Sequence, residues 1–423
     1  MAYRRRVLDG LLDEVFPHLP AVALEGAKGV GKTATATQRA TTVISLTVRS
    51  QRELLVADMD RVSSAPPPVL IDEWQLEPDV WDRVKMAVDE DRQGGRFILA
   101  GSAGVPSDTR IHSGAGRIVS FHMRPLALSE RGLTEPTVSL ARLLQGEPGE
   151  IAGSSSMSLG DYVDEILRSG FPGLRQTPQR ALNLELDSYL QRIVDRELPD
   201  NGVTIRRPNT MMAWLRSYAA ATSTDAAYSV ILDAATAGES DKPSRVTVGA
   251  YRDHLQRIFV LDPLPAWIPA FNPIKKLTST PKHHLVDPAL SARLVGVGRN
   301  GLLDGEGDRV ARHTGTWLGA LFESLAAQSV RVYAQAAGAA VGHLRLKNNE
   351  REIDLIVEGE DRKVVGLEVK LAPTVSDRDV RHLLWLRQQL GERVADLVVL
   401  TTGHEAYRRR DGVAVVPLAL LGA

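Results

Sequence analysis

The chain has no cysteine in 423 residues, which excludes disulfides, thiolate metal centres and cysteine nucleophiles, and suits a cytoplasmic protein. It also lacks excess charge. Its 51 Lys+Arg balance 52 Asp+Glu, so no global basic field draws it onto nucleic acid, and any such contact needs a local patch. No apolar run reaches the ~18 residues that a membrane span requires. The charged opening MAYRRRVLDGLLDEVF has no signal-peptide core. Aromatics are only 5%, but the apolar fraction is an ordinary 43%, and the length suits roughly two to four domains, each with its own core.

What is present begins at Ala21–Leu24, a short apolar run leading into Gly26-Ala27-Lys28-Gly29-Val30-Gly31-Lys32-Thr33. This is the GxxxxGK(S/T) pattern of a phosphate-binding loop. The glycines let successive N–H groups curl around an anion. Lys32 would reach the β- and γ-phosphates, Thr33 would hold Mg²⁺, and the helix beginning there would aim its positive end at the ligand. About 40 residues beyond lies Val69-Leu70-Ile71-Asp72-Glu73, an apolar strand ending in two acids. Asp72 is expected to hold Mg²⁺ and Glu73 to polarise the water that attacks the γ-phosphate. Ser102 follows the strand RFILA and is a candidate contact to that water or phosphate. Arg117, just before the next strand, is a candidate arginine finger acting in a neighbouring subunit, with Arg92 and Arg110 as weaker alternatives.

Taken in order, a helix over 5–17, the phosphate loop, strands near 42–48, 69–73, 96–100 and 118–121, and helices near 51–62 and 77–92 alternate as in a covered parallel sheet. This predicts an α/β P-loop ATPase domain over 1–130. Gly/Ser/Pro signals suggest a linker over 131–158. Residues 159–299 read as a mainly helical region with a β-like stretch FVLDPLPAWIPA, and 300–423 as a second α/β domain opened by a linker near 300–308.

The order of phosphate loop, Asp-Glu strand, Ser-terminated strand and arginine resembles the AAA+ and STAND side of the P-loop ATPases. More narrowly, LIDEWQ, FILAGS, AGRI and RPLALSE (Arg124–Glu130) resemble a family of bacterial and archaeal ATPases. Their C-terminal domain of unknown function is related to restriction endonucleases. The similarity runs nearly end to end. It implies ATP as the nucleotide, places Pro172 of Ser169-Gly170-Phe171-Pro172 in a lid near the adenine, and makes 251–267 part of a winged-helix-like segment. It departs at Leu46-Thr47-Val48-Arg49, where the family usually has acids.

In the C-terminal domain, Glu368 and Lys370 stand two apart on an expected strand and so share a face, with Asp354 on the hairpin partner. Asp354 and Glu368 would bind Mg²⁺, Lys370 would orient a water, and Glu323 on the preceding helix is a further candidate metal ligand. The pattern resembles the PD-(D/E)XK nuclease core. His283-His284 read as structural, and Arg206-Arg207 and Tyr407-Arg408-Arg409-Arg410 as basic patches that could touch phosphates but read first as solvated faces. Trp214, Trp267, Trp317 and Trp385 read as core. Two functional readings follow: an ATPase, a homo-oligomer through the trans arginine, whose nucleotide state controls a DNA-interacting nuclease-like domain, or a signalling scaffold whose nuclease-like domain is inactive and binds a protein.

Overall fold

Five short strands run parallel through the N-terminal domain: β1 (Ala21–Glu25), β2 (Thr42–Ser45), β3 (Val69–Asp72), β4 (Phe97–Gly101) and β5 (Ile118–His122), in the spatial order β2-β3-β4-β1-β5. The computed structural model describes residues 3–102, 115–147, 149–200, 208–237, 245–268, 280–307, 316–346 and 350–423, without the side chains of 200, 245 and 246. Arg110, Arg206 and Arg207 lie outside these residues. Strands β1, β3 and β4 are almost wholly buried because helices cover both faces, which is why they read as continuous apolar runs. Strand β4 sits between the phosphate-loop strand and the Asp-Glu strand. The register Leu24–Ala100 and Ala100–Asp72 brings three strand ends level, so the loop, Ser102 and Asp72-Glu73 share one rim.

Residues 131–158, read as a linker from their turn residues, are instead built into the core. A helix Leu140–Gln145 follows β6 (Val138–Ser139), and Val138, Leu140, Leu143, Ile151 and Met157 are buried with the C-terminal domain. Gly132 and Gly146 do stand where the chain bends, but the apolar residues around these signals decide the burial. The second expected linker also differs: Arg299–Asp304 is helical and buries Leu302.

Helices Leu159–Leu167, Gln179–Arg192, Pro208–Ala220, Tyr228–Ala235 and Arg245–Arg257 form the middle region. It ends in a narrow ribbon where Leu261 bridges Leu285 and Leu264 bridges Lys282, both antiparallel. The C-terminal domain opens with helix Trp317–Ala336, followed by β7 (Ala340–Arg345), β8 (Glu352–Glu358) and β9 (Val364–Val369). Helix Asp377–Leu390 crosses over to β10 (Val394–Thr401), and β11 (Tyr407–Arg408) and β12 (Ala414–Pro417) complete a sheet ordered β11-β12-β10-β9-β8-β7. Strand β13 (Leu421–Gly422) returns to pair with β6. Among the described residues, no helix is long and apolar enough to cross a membrane.

Candidate functional site

The phosphate loop leaves β1 at Gly26, where a Cβ would stand 2.2 Å from the Met123 carbonyl oxygen. Only glycine permits that approach. At Gly31 φ is +101°, in the left-handed region, and the chain turns there into helix Lys32–Thr37. The buried Lys32 Nζ donates to the carbonyl oxygens of Gly26 (2.8 Å) and Ala27 (3.0 Å). Burial lowers its pKa to about 8, although Glu73 and Asp72 pull the other way. An ammonium held by neutral carbonyls in a buried cradle suits an incoming polyphosphate, whose negative charge would compensate the hydration that burial has removed.

Thr33 Oγ1 donates to Asp72 Oδ1 at 2.8 Å. These are hard oxygen donors of the kind Mg²⁺ prefers. Burial raises the Asp72 pKa, the Thr33 hydroxyl partly offsetting it.

Glu73 adopts φ 54°, ψ 45°, a left-handed conformation unusual for a non-glycine residue, and this throws its side chain off the β3 line towards β4. There Ser102 Oγ donates to Glu73 Oε2 at 3.0 Å, and Gln75 Nε2 donates to the same oxygen and, at 3.3 Å, to Ser102 Oγ. Gln75 is not apparent from the sequence as a site residue. Gly101 makes room for it, since a Cβ there would meet Gln75 Oε1 at 2.8 Å and Trp74 Nε1 at 2.6 Å.

Arg117 is elsewhere in its own protomer. It precedes Ile118, which pairs with Ala21 at the start of β1, so it lies at the opposite end of the strand from the loop, ~13 Å away along β1. Its Nε donates to Asp89 at 2.8 Å, and the side chain is 40% exposed. Arg92 donates to the Gly116 carbonyl.

The lid segment packs over the loop. Cβ atoms built on Gly29 and Gly31 would touch Phe171 and Pro172, each at 3.7 Å. Phe171 stacks obliquely on Tyr189 (5.2 Å), and Tyr189 donates to the Lys28 carbonyl at 3.2 Å. Lys28 pairs with Glu197 at 2.8 Å. A cavity of about 200 Å³ runs from Lys28, Gly29 and Ser102 past Tyr189, Arg192 and Glu197 to Ile258 and Val260.

The segment RPLALSE ties the loop to the rest of the chain. Glu130 accepts from Arg6 Nε (3.0 Å) and from the amides of Val7 and Ala127 (both 2.7 Å), while Arg6 donates to the loop carbonyl of Val30 at 3.0 Å. Arg124 makes a bidentate pair with buried Asp262 (2.6 and 3.1 Å), which also meets Arg331 of helix Trp317–Ala336 at 2.9 Å. Burial alone would raise the Asp262 pKa, but the two guanidinium groups hold it well below the usual carboxylate range.

In the C-terminal domain β8 and β9 pair with Leu355 opposite Leu367, so Asp354 and Glu368 are the next pair outward, and the Val369 amide donates to Asp354 at 2.9 Å. Lys370 Nζ bonds Glu368 at 2.9 Å. A residue from the middle region enters this group. The ammonium of Lys282, only 1% exposed, contacts Glu323 at 2.8 Å, Glu352 at 2.9 Å and Asp354 at 3.0 Å. The expectation that Glu323, Asp354 and Glu368 form an open metal site is therefore corrected: a lysine stands among them. Among the described residues, no group of three or more His, Asp or Glu side chains is arranged to hold a metal. Glu352, two residues before Asp354 on the same strand face, was legible from that spacing; Lys282, from a distant segment, was not.

His283 and His284 are structural: His283 bonds the Ala226 carbonyl and His284 bonds Ser324. Arg408 and Arg409 are paired with Asp396 and with Asp377 and Asp411.

Residues 18–131 match the family described as an AAA domain, residues 159–301 a domain of unknown function (DUF8612), and residues 318–421 another (DUF4143). Uncharacterized proteins of Mycobacterium tuberculosis and Mycobacterium bovis are each 24% identical over 431 aligned residues, spanning 99% of this chain and 84% of theirs. A Walker-type ATPase of Pyrococcus abyssi aligns with a TM-score of 0.41 and 15% identity over 69% of this chain and 96% of that one. The AAA match and the geometry of Lys32, Thr33 and Asp72 together make the N-terminal part of the chain an ATPase-like P-loop domain.

Proposed function

We propose that the chain is a Mg²⁺-dependent ATP hydrolase whose nucleotide state sets the condition of its C-terminal domain. The observation that carries this reading is the rim on which Thr33 meets Asp72 while Glu73 is held by Ser102 and Gln75. In this reading the loop amides and Lys32 bind the phosphates, and Thr33 and Asp72 hold the metal. Mg²⁺ would neutralise phosphate charge and help to align it. Ser102 exchanges Glu73 for the γ-phosphate, which frees the carboxylate to take a proton from water. Phe171 and Pro172 close the loop from the lid side, and the cavity beside Tyr189 receives the nucleoside. Arg117, too far along the sheet to serve its own site, suits a neighbouring subunit and hence a homo-oligomer.

For the C-terminal domain, the order helix, three strands, helix, strand, with Asp354, Glu368 and Lys370 at neighbouring strand ends, supports the nuclease-like, DNA-interacting reading. Two observations favour the second reading, an inactive domain that binds a protein. Lys282 occupies the carboxylate group, and the arginines of 408–409 are already neutralised by neighbouring acids. Plasmid and single-strand cleavage with Mg²⁺ or Mn²⁺, with and without ATP, separates them: cleavage lost in Glu368→Ala favours the nuclease, and no cleavage under any condition favours the scaffold. ATP turnover that survives in a clean Lys32→Ala preparation would overturn the hydrolase reading itself.

A further inference from the structure

We propose that Arg6, far outside the loop motif, is a positioning residue for nucleotide binding: its guanidinium fixes the peptide between Val30 and Gly31 so that the Gly31 amide faces the bound phosphates. The inference rests on the phosphate-loop reading and adds what gives that loop its shape.

The loop's own chemistry creates the need. Gly31 sits at φ +101°. Turning the Val30–Gly31 peptide plane over would carry it to a negative φ, which glycine adopts as readily. The glycine therefore leaves this plane two orientations. The peptide is planar and trans, so its carbonyl and its N–H point in opposite directions. Whatever holds the Val30 carbonyl on one side aims the Gly31 N–H to the other.

Arg6 holds that carbonyl. Its Nη1 donates to Val30 O at 3.0 Å, and a Cβ on Gly31 would stand 3.8 Å from the same nitrogen. The other edge of the guanidinium is already committed. Nε and Nη2 donate to the two oxygens of Glu130 at 3.0 and 3.2 Å, and Nη2 also donates to the Arg124 carbonyl at 2.8 Å. Because the fork is planar with fixed angles, an occupied Nε–Nη2 edge sets the direction of Nη1. The backbone end is pinned as well. Asp9 Oδ2 accepts from the Arg6 amide and from the Tyr3 hydroxyl, both at 2.6 Å, while its Oδ1 accepts from Arg39, just beyond helix Lys32–Thr37.

Burial argues the same way. The Arg6 and Glu130 side chains are 4% and 2% exposed. A buried ion pair adds little stability over an apolar pair of similar volume, so stability alone does not account for an arginine here. Reaching a carboxylate and two carbonyls at once does. On the inner side of the loop, Lys32 holds the carbonyls of Gly26 and Ala27. Three loop carbonyls are thus taken by cations, one from within and one from without, which leaves the amides to an anion.

The test is calorimetric titration of the full chain with inorganic tripolyphosphate and, separately, with Mg²⁺-ADP. Arg6→Met lacks the donors, and Arg6→Lys can pair with Glu130 but has no second arm for Val30. Each should weaken both ligands by the same factor, about 10- to 100-fold, the loss of one amide bond to a charged group. KM for ATP should rise in step while kcat stays within about threefold. A direct readout comes from labelling valine carbonyls with ¹³C and glycine amides with ¹⁵N, which reports only the six Val-Gly peptides of the chain. Val30→Ile removes one of these signals and so identifies Gly31. Tripolyphosphate should move the Gly31 amide in the wild type and scarcely in Arg6→Met, a difference that mere loss of stability would not produce. Affinities within twofold of the wild type, or a Gly31 amide that responds equally in both proteins, overturns the proposal. Failure of both variants to fold would assign Arg6 to the fold and also overturn it. Wild-type protein that binds neither ligand would instead remove the phosphate-loop reading, and the role of Arg6 with it.

Discussion

Asp262 and Lys282 belong to one two-stranded ribbon and serve different domains. The first reaches Arg124 of the ATPase-like domain at 2.6 Å, and the second reaches Asp354 of the C-terminal domain at 3.0 Å. Asp262 is the more exposed to a simple test, because it is the sole carboxylate between two guanidinium groups in its cluster of contacts. Asp262→Asn keeps the shape and removes the charge, leaving Arg124 and Arg331 facing each other in a buried place. Urea denaturation should show a loss of about 3–5 kcal/mol. The native carboxyl titrates below its unfolded value of 3.8, so its contribution is complete above that pH and is lost as the pH falls below it. The acid-side loss of stability should be shallower in Asp262→Asn than in the wild type.

Lys32 gives a pH signature of nucleotide binding. Its pKa in the free protein, about 8, must rise when phosphate arrives. Binding between pH 8 and 9 should therefore take up a proton, and affinity should weaken as pH rises through that window. Calorimetry in buffers of different ionisation enthalpy detects the uptake, and Lys32→Arg, which stays charged, should abolish it. In the nucleotide-free protein the sign is opposite. A depressed lysine costs stability below its native pKa, so that cost is relieved as pH climbs from about 8 towards 10.5.

Gln75 is expected to act through Glu73. Gln75→Ala should lower kcat by roughly 10- to 100-fold and leave KM for ATP within about twofold. Gln75→Asn, with a shorter reach to Glu73, should not restore it. Glu73→Gln, by contrast, should bind ATP and scarcely turn it over. Equal losses in kcat and in nucleotide affinity for Gln75→Ala would mean a merely structural role.

Arg117 separates cis from trans assistance. Arg117→Ala should retain nucleotide binding and lose most turnover. Mixing it with Glu73→Gln, itself inactive, should recover activity, since some pairs would unite an intact Arg117 with an intact Glu73. No recovery at any mixing ratio, with mixed oligomers shown by mass, would rule out a finger across subunits.

The phosphate loop, the Asp-Glu strand and their neighbours were readable because each is a local pattern: an apolar run followed by residues whose chemistry fixes their place at a strand end. The alternating strands and helices of the first domain followed from the same runs. Residues 131–158 misled because turn residues say where the chain bends and not whether the bends are covered; Val138 and Leu143 decide that. Lys282 and Gln75 were beyond reach for another reason. A lysine in Pro281-Lys282-His283-His284 looks like any surface cation until the fold sets it against a cluster from β8 and a distant helix. Gln75 matters only because Glu73 turns out of the strand.

Helix Trp317–Ala336 presents Ser329, Arg331 and Tyr333 to the N-terminal two thirds of the chain and, two turns earlier, Glu323 and Ser324 to the carboxylate group and His284. A helix with two such clients is not a portable module. Sequence drift on one flank must suit Leu128 and Ser129, and drift on the other must suit Lys282. Exchange of the C-terminal domain between relatives would succeed only with the 124–131 segment and the ribbon carried along, so these three stretches should be inherited as one block.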